Sequence, residues 1–531
     1  MSKERWNDFK KRSWIGLNEQ FFFDYSCIHE SLDFPVDKRN SALEGMRRLE
    51  QGERVNQDED RMVGHYWLRA PELAPTSELA SAIEEERSRI QGFVAQIHKG
   101  ALRSGAGKSF TSLLLIGIGG SALGPQLMAD IFHTPQRPLH FFAIDNTDPE
   151  GIAHTVSQIP SLEETLVLVV SKSGGTKETR NGMILVEKIF EKQGLSFPKH
   201  AVAITGKGSL LDIYAQEQGW IERFPMWDWV GGRTSLWSAV GLLPAALLGI
   251  NIDALLEGAR EMDQCTRGEQ PEENPALMLA RIWQIMAASR DMVVLPYRDR
   301  LLLLSRYLQQ LIMESLGKEC DLDGNRVHEG IAVYGNKGST DQHAYVQQLR
   351  DGRDNVFISF VEVLEESVGF DKGAEQLVHI CKEEVEEGMT AGDYLQGFLL
   401  GTQRALFDSG RPSVMISLRS LNEFSVGALL AFFERAVSFY ASMANINAYN
   451  QPGVEAGKKA AERVVQLKKD IVHLMSQEAG RYQSVDELAH ALSSDERFEI
   501  FKILERLAAN GVVAVSDESE EVFLRQYCLR N

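Results

Sequence analysis

Cysteine is scarce in this chain and never paired along it. Cys27, Cys265, Cys320, Cys381 and Cys528 stand far apart among 531 residues, with no CxxC and no compact even-numbered framework. That pattern argues against a disulfide scaffold and a thiolate metal site, and it leads to the expectation of a reducing cytoplasm. Basic charge is in deficit too: 75 Asp and Glu against 56 Lys and Arg give a formal net charge of −19. Nucleic acid and anionic membrane are therefore not expected partners, since both need a basic field. No long apolar run is present. The best candidate, "SLWSAVGLLPAALLGI" (residues 235–250), falls short of the ~18 apolar residues of a membrane span and contains Pro244. The opening "MSKERWNDFKKRSW" lacks the apolar core of a signal peptide. What is present is ordinary for a globular protein, 44% hydrophobic and 25% charged residues, over a length that calls for at least two cores.

Residues 1–100 read mainly as helix, as in "TSELASAIEEERSRIQGFVAQIHKGAL", where apolar residues recur at three and four. From about 110 the pattern changes to short apolar runs, each followed by a Gly/Ser turn and a helix. "SLLLIGI", "HFFAID", "TLVLVV" and "HAVAIT" predict a parallel sheet with crossover helices. A second series follows with "DMVVLPY", "GIAVYG", "NVFISFVEV" and "PSVMISL" as strand candidates. The expected fold class is α/β, with units at 101–288 and 289–470. The last part, 471–531, reads as two helices and a short hairpin, a winged-helix-like order; its acidity favours a packing role over nucleic-acid binding.

Two loops follow strands in the first unit. In "LLLIGIGGSALGPQL", Gly117, Gly119, Gly120 and Ser121 precede a helix start, where the backbone can approach a ligand and N–H groups are unpaired. A tight turn is the other reading, and neither a Walker A nor a good dinucleotide fingerprint is present. In "SKSGGTKET", Ser171, Ser173 and Thr176 can donate to phosphate oxygens while Gly174 and Gly175 relieve crowding. Helix capping by Ser173 or Thr176 is the alternative there. Two such loops in one sheet favour a phosphate site.

Further on, "VGGRTSLW" holds Arg233 between glycines and an apolar helix, as a fixed charge for an oxyanion or as a capping or carboxylate partner. "YLQQLIMESLGK" puts Gln310 and Glu314 on one helix face, and Glu314 is a candidate general base or an ordinary surface carboxylate. "GSTDQHAYVQQLRDG" places His343 just inside a helix start, with Ser339 and Gln342 spaced as a capping box; no second His or Cys stands at metal-ligand spacing. In "QPGVEAGKKAAERVVQ", Lys458 falls on a helical stripe with Val454, Ala461 and Val465, either snorkelling or facing a polar pocket.

In order, "GIGGSALGP", "SKSGGTKET", "GGRTSLWSAVGL", "LPYRDRLLLLSRYLQQLIMESLGK", "GSTDQHAYVQQLRDG" and "NAYNQPGVEAGK" resemble the glucose-6-phosphate isomerase family, and so does "GERVNQDEDRMVGHYWLRAP". The resemblance implies two sugar-isomerase (SIS) domains, each an α/β/α sandwich around a mainly parallel sheet, with a helical N-terminal segment and a C-terminal appendage. It implies isomerisation of glucose 6-phosphate and fructose 6-phosphate by ring opening and a cis-enediol, in a cytoplasmic homodimer without metal or redox cofactor. Matched by position, Glu314 is the base and Arg233 steadies the enediolate. His343, donated across the dimer interface, and Lys458 serve ring opening. Ser171, Lys172, Ser173 and Thr176 hold the phosphate, while Gly120, Ser121, Glu178, Gln310 and Gln451 line the sugar site. The chain departs from the family pattern at the "SGGT" loop, which is bulkier in many members. It also departs at Leu316, Asp341 and Pro452, where Asn, Gly and Trp are usual. A non-catalytic SIS regulator would need the loops but not Glu314, His343 and Lys458 together, and is the alternative. Activity on mannose 6-phosphate or an amino sugar is left to pocket shape; amidotransfer is disfavoured, as no Cys follows Met1.

Overall fold

The structure is a computed structural model and describes residues 2–366, 380–516 and 521–530. By contact the chain divides into two compact units, Met1–Asn450 and Gln451–Asn531.

In the first unit, strands β1 (Ser13–Gly16) and β2 (Phe21–Cys27) precede helices α1 (Val36–Glu50) and α2 (Ser77–His98). The N-terminal region, read from its sequence as mainly helical, thus also contributes two strands. In β2 burial alternates residue by residue, the period of a strand, but its opening Phe21-Phe22-Phe23 hides the alternation because inward and outward positions are equally apolar.

Five strands then follow: β3 (Ser112–Ile116), β4 (His140–Ile144), β5 (Thr165–Val170), β6 (Ala201–Thr205) and β7 (Glu222–Pro225). They form an all-parallel sheet in the order β4-β3-β5-β6-β7, with Leu113 opposite Leu166 where β3 and β5 pair. Every residue of β3, β5 and β6 is buried, as expected of parallel strands covered on both faces. The strand order reverses between β3 and β5. In open α/β sheets, the crevice beyond the carboxyl ends of strands at such a reversal is where ligands bind.

The second sheet takes β8 (Asp291–Pro296), β9 (Val333–Tyr334), β10 (Val356–Val363) and β11 (Ser413–Leu418) in parallel, and β2 and β1 extend it antiparallel in the order β1-β2-β11-β10-β8-β9. The fold is therefore the mixed α/β architecture with parallel-sheet cores expected from the sequence. Four helices matter most for the site and core. They are α3 (Gly120–Ile131) after β3, α4 (Lys177–Lys192) after β5, α5 (Leu304–Leu308) after β8, and the almost wholly buried α6 (Glu423–Ala444). Among the described residues only α6 is long and apolar enough to cross a membrane, and it is 94% buried in the protein core. Buried charges tie α6 to the N-terminal region. Arg69 pairs with Asp263 at 2.6 Å and with Glu434 at 2.5 Å, and Arg435 pairs with Glu50. Such a group is costly to break, because removing one partner leaves a buried charge uncompensated.

The second unit holds α7 (Pro452–Gln477), α8 (Val485–Ala491) and α9 (Arg497–Ala509). With them is a small antiparallel sheet of β12 (Gln483–Ser484), β13 (Val513–Val515) and β14 (Gln526–Leu529). Its own core includes Leu467, Ile471, Met475, Leu488, Ile500, Leu504 and Tyr527. Val454, Ala461 and Val465 are exposed, so the expected inward stripe around Lys458 does not form in this chain. The packed stripe of α7 begins later, at Leu467.

Candidate active site

The two glycine loops sit at the reversal between β3 and β5. Gly119 has φ +58, a conformation that favours glycine, and turns the chain from β3 into α3. Gly120 lies so close to the segment after β7 that a Cβ there would stand 1.9 Å from the Gly232 carbonyl oxygen. A Cβ at Gly119 would stand 3.0 Å from Nε2 of Gln310. Glycine therefore lets three parts of the chain meet: the β3 loop with half-buried Ser121 beside it, the Arg233 segment and the helix bearing Gln310.

In the β5 loop the hydroxyls serve the loop's own backbone. Gly174 N–H donates to Ser171 Oγ at 3.1 Å and Gly175 N–H to Ser173 Oγ at 3.1 Å, while Ser171 and Thr176 hydroxyls stand 3.5 Å apart. Thr176 occupies the N-cap position of α4 without making a side-chain cap bond, so the capping alternative is not realised. Half-buried Glu178 lies in the first turn of α4, the end of a helix where N–H groups point toward an anion. Lys172 turns to the neighbouring segment, donating to the carbonyls of Asp228 at 2.9 Å and Val230 at 3.0 Å. Burial, with repulsion from Arg61, pushes its ammonium down to about 8 against the pull of Asp228 and Glu59.

Arg233 is buried in a 3-10 segment, Gly232–Trp237. Its Nη1 donates to the Ala448 carbonyl at 2.7 Å and to Ser315 Oγ at 3.1 Å, and its Nη2 to the Asn450 carbonyl at 2.8 Å. Its Nε stands 3.5 Å from Glu314 Oε2. Burial lowers the arginine's pKa, and the charge of Glu314 opposes that shift. Beyond α5 the helix widens into a π-turn, Gln309–Glu314, a rare form that is frequent at functional sites. Glu314 ends it with 18% of its side chain exposed, and its Oε2 is buried without a hydrogen bond among the described residues. A carboxylate oxygen with unused lone pairs, beside a fixed cation, is the equipment for taking a proton next to a carbonyl.

His343 stands apart. It is the exposed last residue of a 3-10 turn, Thr340–His343, and its ring makes no hydrogen bond among the described residues. The expected Ser339–Gln342 capping box is absent. Gln342 instead donates to the Phe398 carbonyl at 3.0 Å and reaches Tyr297 and Thr402. Asp341 is buried and accepts the N–H groups of Asn336 and Lys337, each at 3.0 Å, together with the Tyr345 hydroxyl, so it shapes the turn before His343. Gln451 and Lys458 belong to the second unit. Gln451 is half-buried at the N-cap position of α7, and Lys458 is exposed in the helix's early turns.

A model of the family described as phosphoglucose isomerase matches residues 36–481. The chain belongs to the phosphoglucose isomerase family. Curated glucose-6-phosphate isomerases resemble it over nearly their whole length. The protein from Geobacter sp. (strain M21) is 52% identical over 97% of this chain and 96% of its own. The one from Gloeothece citriformis is 48% identical over 95% and 98%. Among solved structures, a glucose-6-phosphate isomerase from Chlamydia trachomatis superposes with a TM-score of 0.76 at 28% identity, covering 87% of this chain and 90% of that one.

In this phosphoglucose isomerase family member the sequence reading missed a supporting group. Asp58 accepts from Asn447 Nδ2 at 2.6 Å and from Asn450 Nδ2, and so holds the segment whose carbonyls grip Arg233. Lys318 was missed as well; its place in "MESLGK", four residues after Glu314, was the available signal.

Proposed function

We propose that the chain interconverts glucose 6-phosphate and fructose 6-phosphate by opening the sugar ring and moving one proton between C2 and C1 through a cis-enediol. The observation that carries the reading is Glu314, with its unbonded Oε2 lying 3.5 Å from Nε of the buried Arg233. Glu314 takes the proton alpha to the carbonyl, and Arg233 meets the negative charge that develops on oxygen. Ser171, Lys172, Ser173 and Thr176, with the first turn of α4, hold the phosphate. Contacts at that remote group fix the sugar over the base. Gly120, Ser121, Glu178, Gln310 and Gln451 line the sugar. Lys458, and His343 donated by a second copy in a homodimer, exchange protons at the ring oxygen and the C1 hydroxyl. In this scheme 101–288 is the phosphate-binding SIS domain and 289–470 the domain of the base. Residues 1–100 and 471–531 flank them, and the setting is the cytoplasm. A sugar-phosphate regulator without turnover would leave the Glu314–Arg233 pair without a task.

The test follows glucose 6-phosphate formation from fructose 6-phosphate in the purified protein and in Glu314→Gln. The wild type turns over, and the variant loses about 10²–10⁴-fold in kcat, the usual contribution of a positioned general base. Absence of wild-type turnover, or a fully active variant, would sink the proposal.

A further inference from the structure

Lys318 follows the π-turn as the first residue of a short strand, Lys318–Cys320, and is buried. Its ammonium donates to the Glu314 carbonyl at 2.7 Å and to the Asn450 carbonyl at 3.3 Å. That second oxygen also receives Nη2 of Arg233 at 2.8 Å. One carbonyl therefore bridges two cations, and both cations lie against the same glutamate. A buried ammonium is ordinarily paired with a carboxylate. This one has no ion-pair contact within 4 Å among the described residues; the charges facing it are Arg233 from the 3-10 segment, Glu314 from the π-turn and Asp58 from the N-terminal region. Desolvation and the repulsion of Arg233 are thus borne for two backbone contacts, one on the turn that carries Glu314 and one on the carbonyl that accepts from Arg233.

We propose that Lys318 is a positioning residue for the proton transfer: it fixes Glu314 and Arg233 relative to one another through the Glu314 and Asn450 carbonyls. Its charge also adds to the positive field that steadies the enediolate. The inference rests on the isomerase reading. Burial, seconded by Arg233, brings the ammonium down to about 8, against the attraction of Glu314 and Asp58. The protonated form that makes both contacts is present below that pH and is lost above it.

The experiment measures kcat and KM for fructose 6-phosphate across the neutral to alkaline range in wild type, Lys318→Met and Lys318→Arg, with circular dichroism as the check on folding. In the wild type kcat falls as the pH rises through the lysine's transition. Lys318→Met loses about ten- to a hundredfold in kcat at neutral pH, the scale of one charge-assisted hydrogen bond, with KM little changed and that alkaline limb gone. Lys318→Arg, whose guanidinium does not titrate in this range, recovers part of the neutral rate and keeps it at alkaline pH. If the methionine variant does not fold, the arginine variant's loss of the limb carries the result. Wild-type kcat in Lys318→Met, or an unchanged alkaline limb in Lys318→Arg, overturns the inference. Failure of the isomerase reading is distinguishable, because it shows as absent wild-type turnover before any variant is compared.

Discussion

At Gly120 the space for a side chain is already taken by the Gly232 carbonyl. Gly120→Ala drives the β3 loop and the Arg233 segment apart, since neither is a flexible side chain that can swing away. Overpacking of this kind costs about 1–3 kcal/mol of stability, read as a lower Tm. A displacement of about 1 Å at Arg233 lowers kcat by about a hundredfold. Unchanged kcat with unchanged Tm would show that the two loops do not touch in solution. The glycines and hydroxyls of these loops were legible because their pattern is local. The gripping of Arg233 by Asn450 was not, because the two residues are 217 positions apart and the contact uses a backbone carbonyl, which no residue type advertises. Ser339 and Gln342 fail in the opposite way: the spacing of a capping box is present, but Tyr297, Thr402 and the Phe398 carbonyl claim the glutamine first.

Elements place these residues, and some of them carry strain of their own. Helix α2 shows the amphipathic spacing read from its sequence, with Ile83, Ile90, Phe93 and Ile97 buried. Glu86 is buried on the same helix. Its Oε2 meets Arg89 at 2.8 Å, while its Oε1 is buried without a hydrogen bond among the described residues. Desolvation raises the carboxyl to about 7, against the pull of Arg89. A raised carboxyl holds its proton more tightly folded than unfolded. Stability therefore falls as the pH rises from the ordinary glutamate range to about 7, and the whole penalty applies above that. Glu86→Gln removes the penalty. It should raise stability by about 1–3 kcal/mol in mildly alkaline buffer and leave it nearly unchanged where the wild-type carboxyl is protonated in both states, as denaturant melts at the two pH values would show. A variant that is less stable at both would mean that the ion pair to Arg89 outweighs desolvation. The sequence missed such details within elements for a common reason: periodicity reports which face is apolar and not what else is buried there. It gave β3, β5 and β6 readily, as uniformly apolar runs. It could not show that the helix after α5 widens at Gln309–Glu314, because π-turns have no residue signature.

At the scale of the molecule, the position of the site follows from topology, since the strand-order reversal brings two loops from separate strands to one crevice. The second unit is governed differently. The sequence suggested an appendage over 471–531, but the core that organises it starts earlier, at Leu467, and continues through Ile471 and Met475 on α7. That one helix also carries Lys458, to which ring opening is assigned. A chain ending at Asp470 loses Ile471, Met475 and all of α8 and α9, leaving the early turns of α7 without the packed part of the helix that anchors them. Isolated helices of this kind are marginal in water, and their stability comes mainly from tertiary packing. The truncated chain should retain the main thermal transition, because the two large sheets and their cores lie within Met1–Asn450. Its kcat with fructose 6-phosphate should fall by more than about tenfold, since the role proposed for Lys458 is worth at least one hydrogen bond to a charged group in the transition state. Calorimetry and turnover measured on the same sample separate the two effects. Full activity in the truncated chain would remove Lys458, or the need for the tail to order it, from the mechanism.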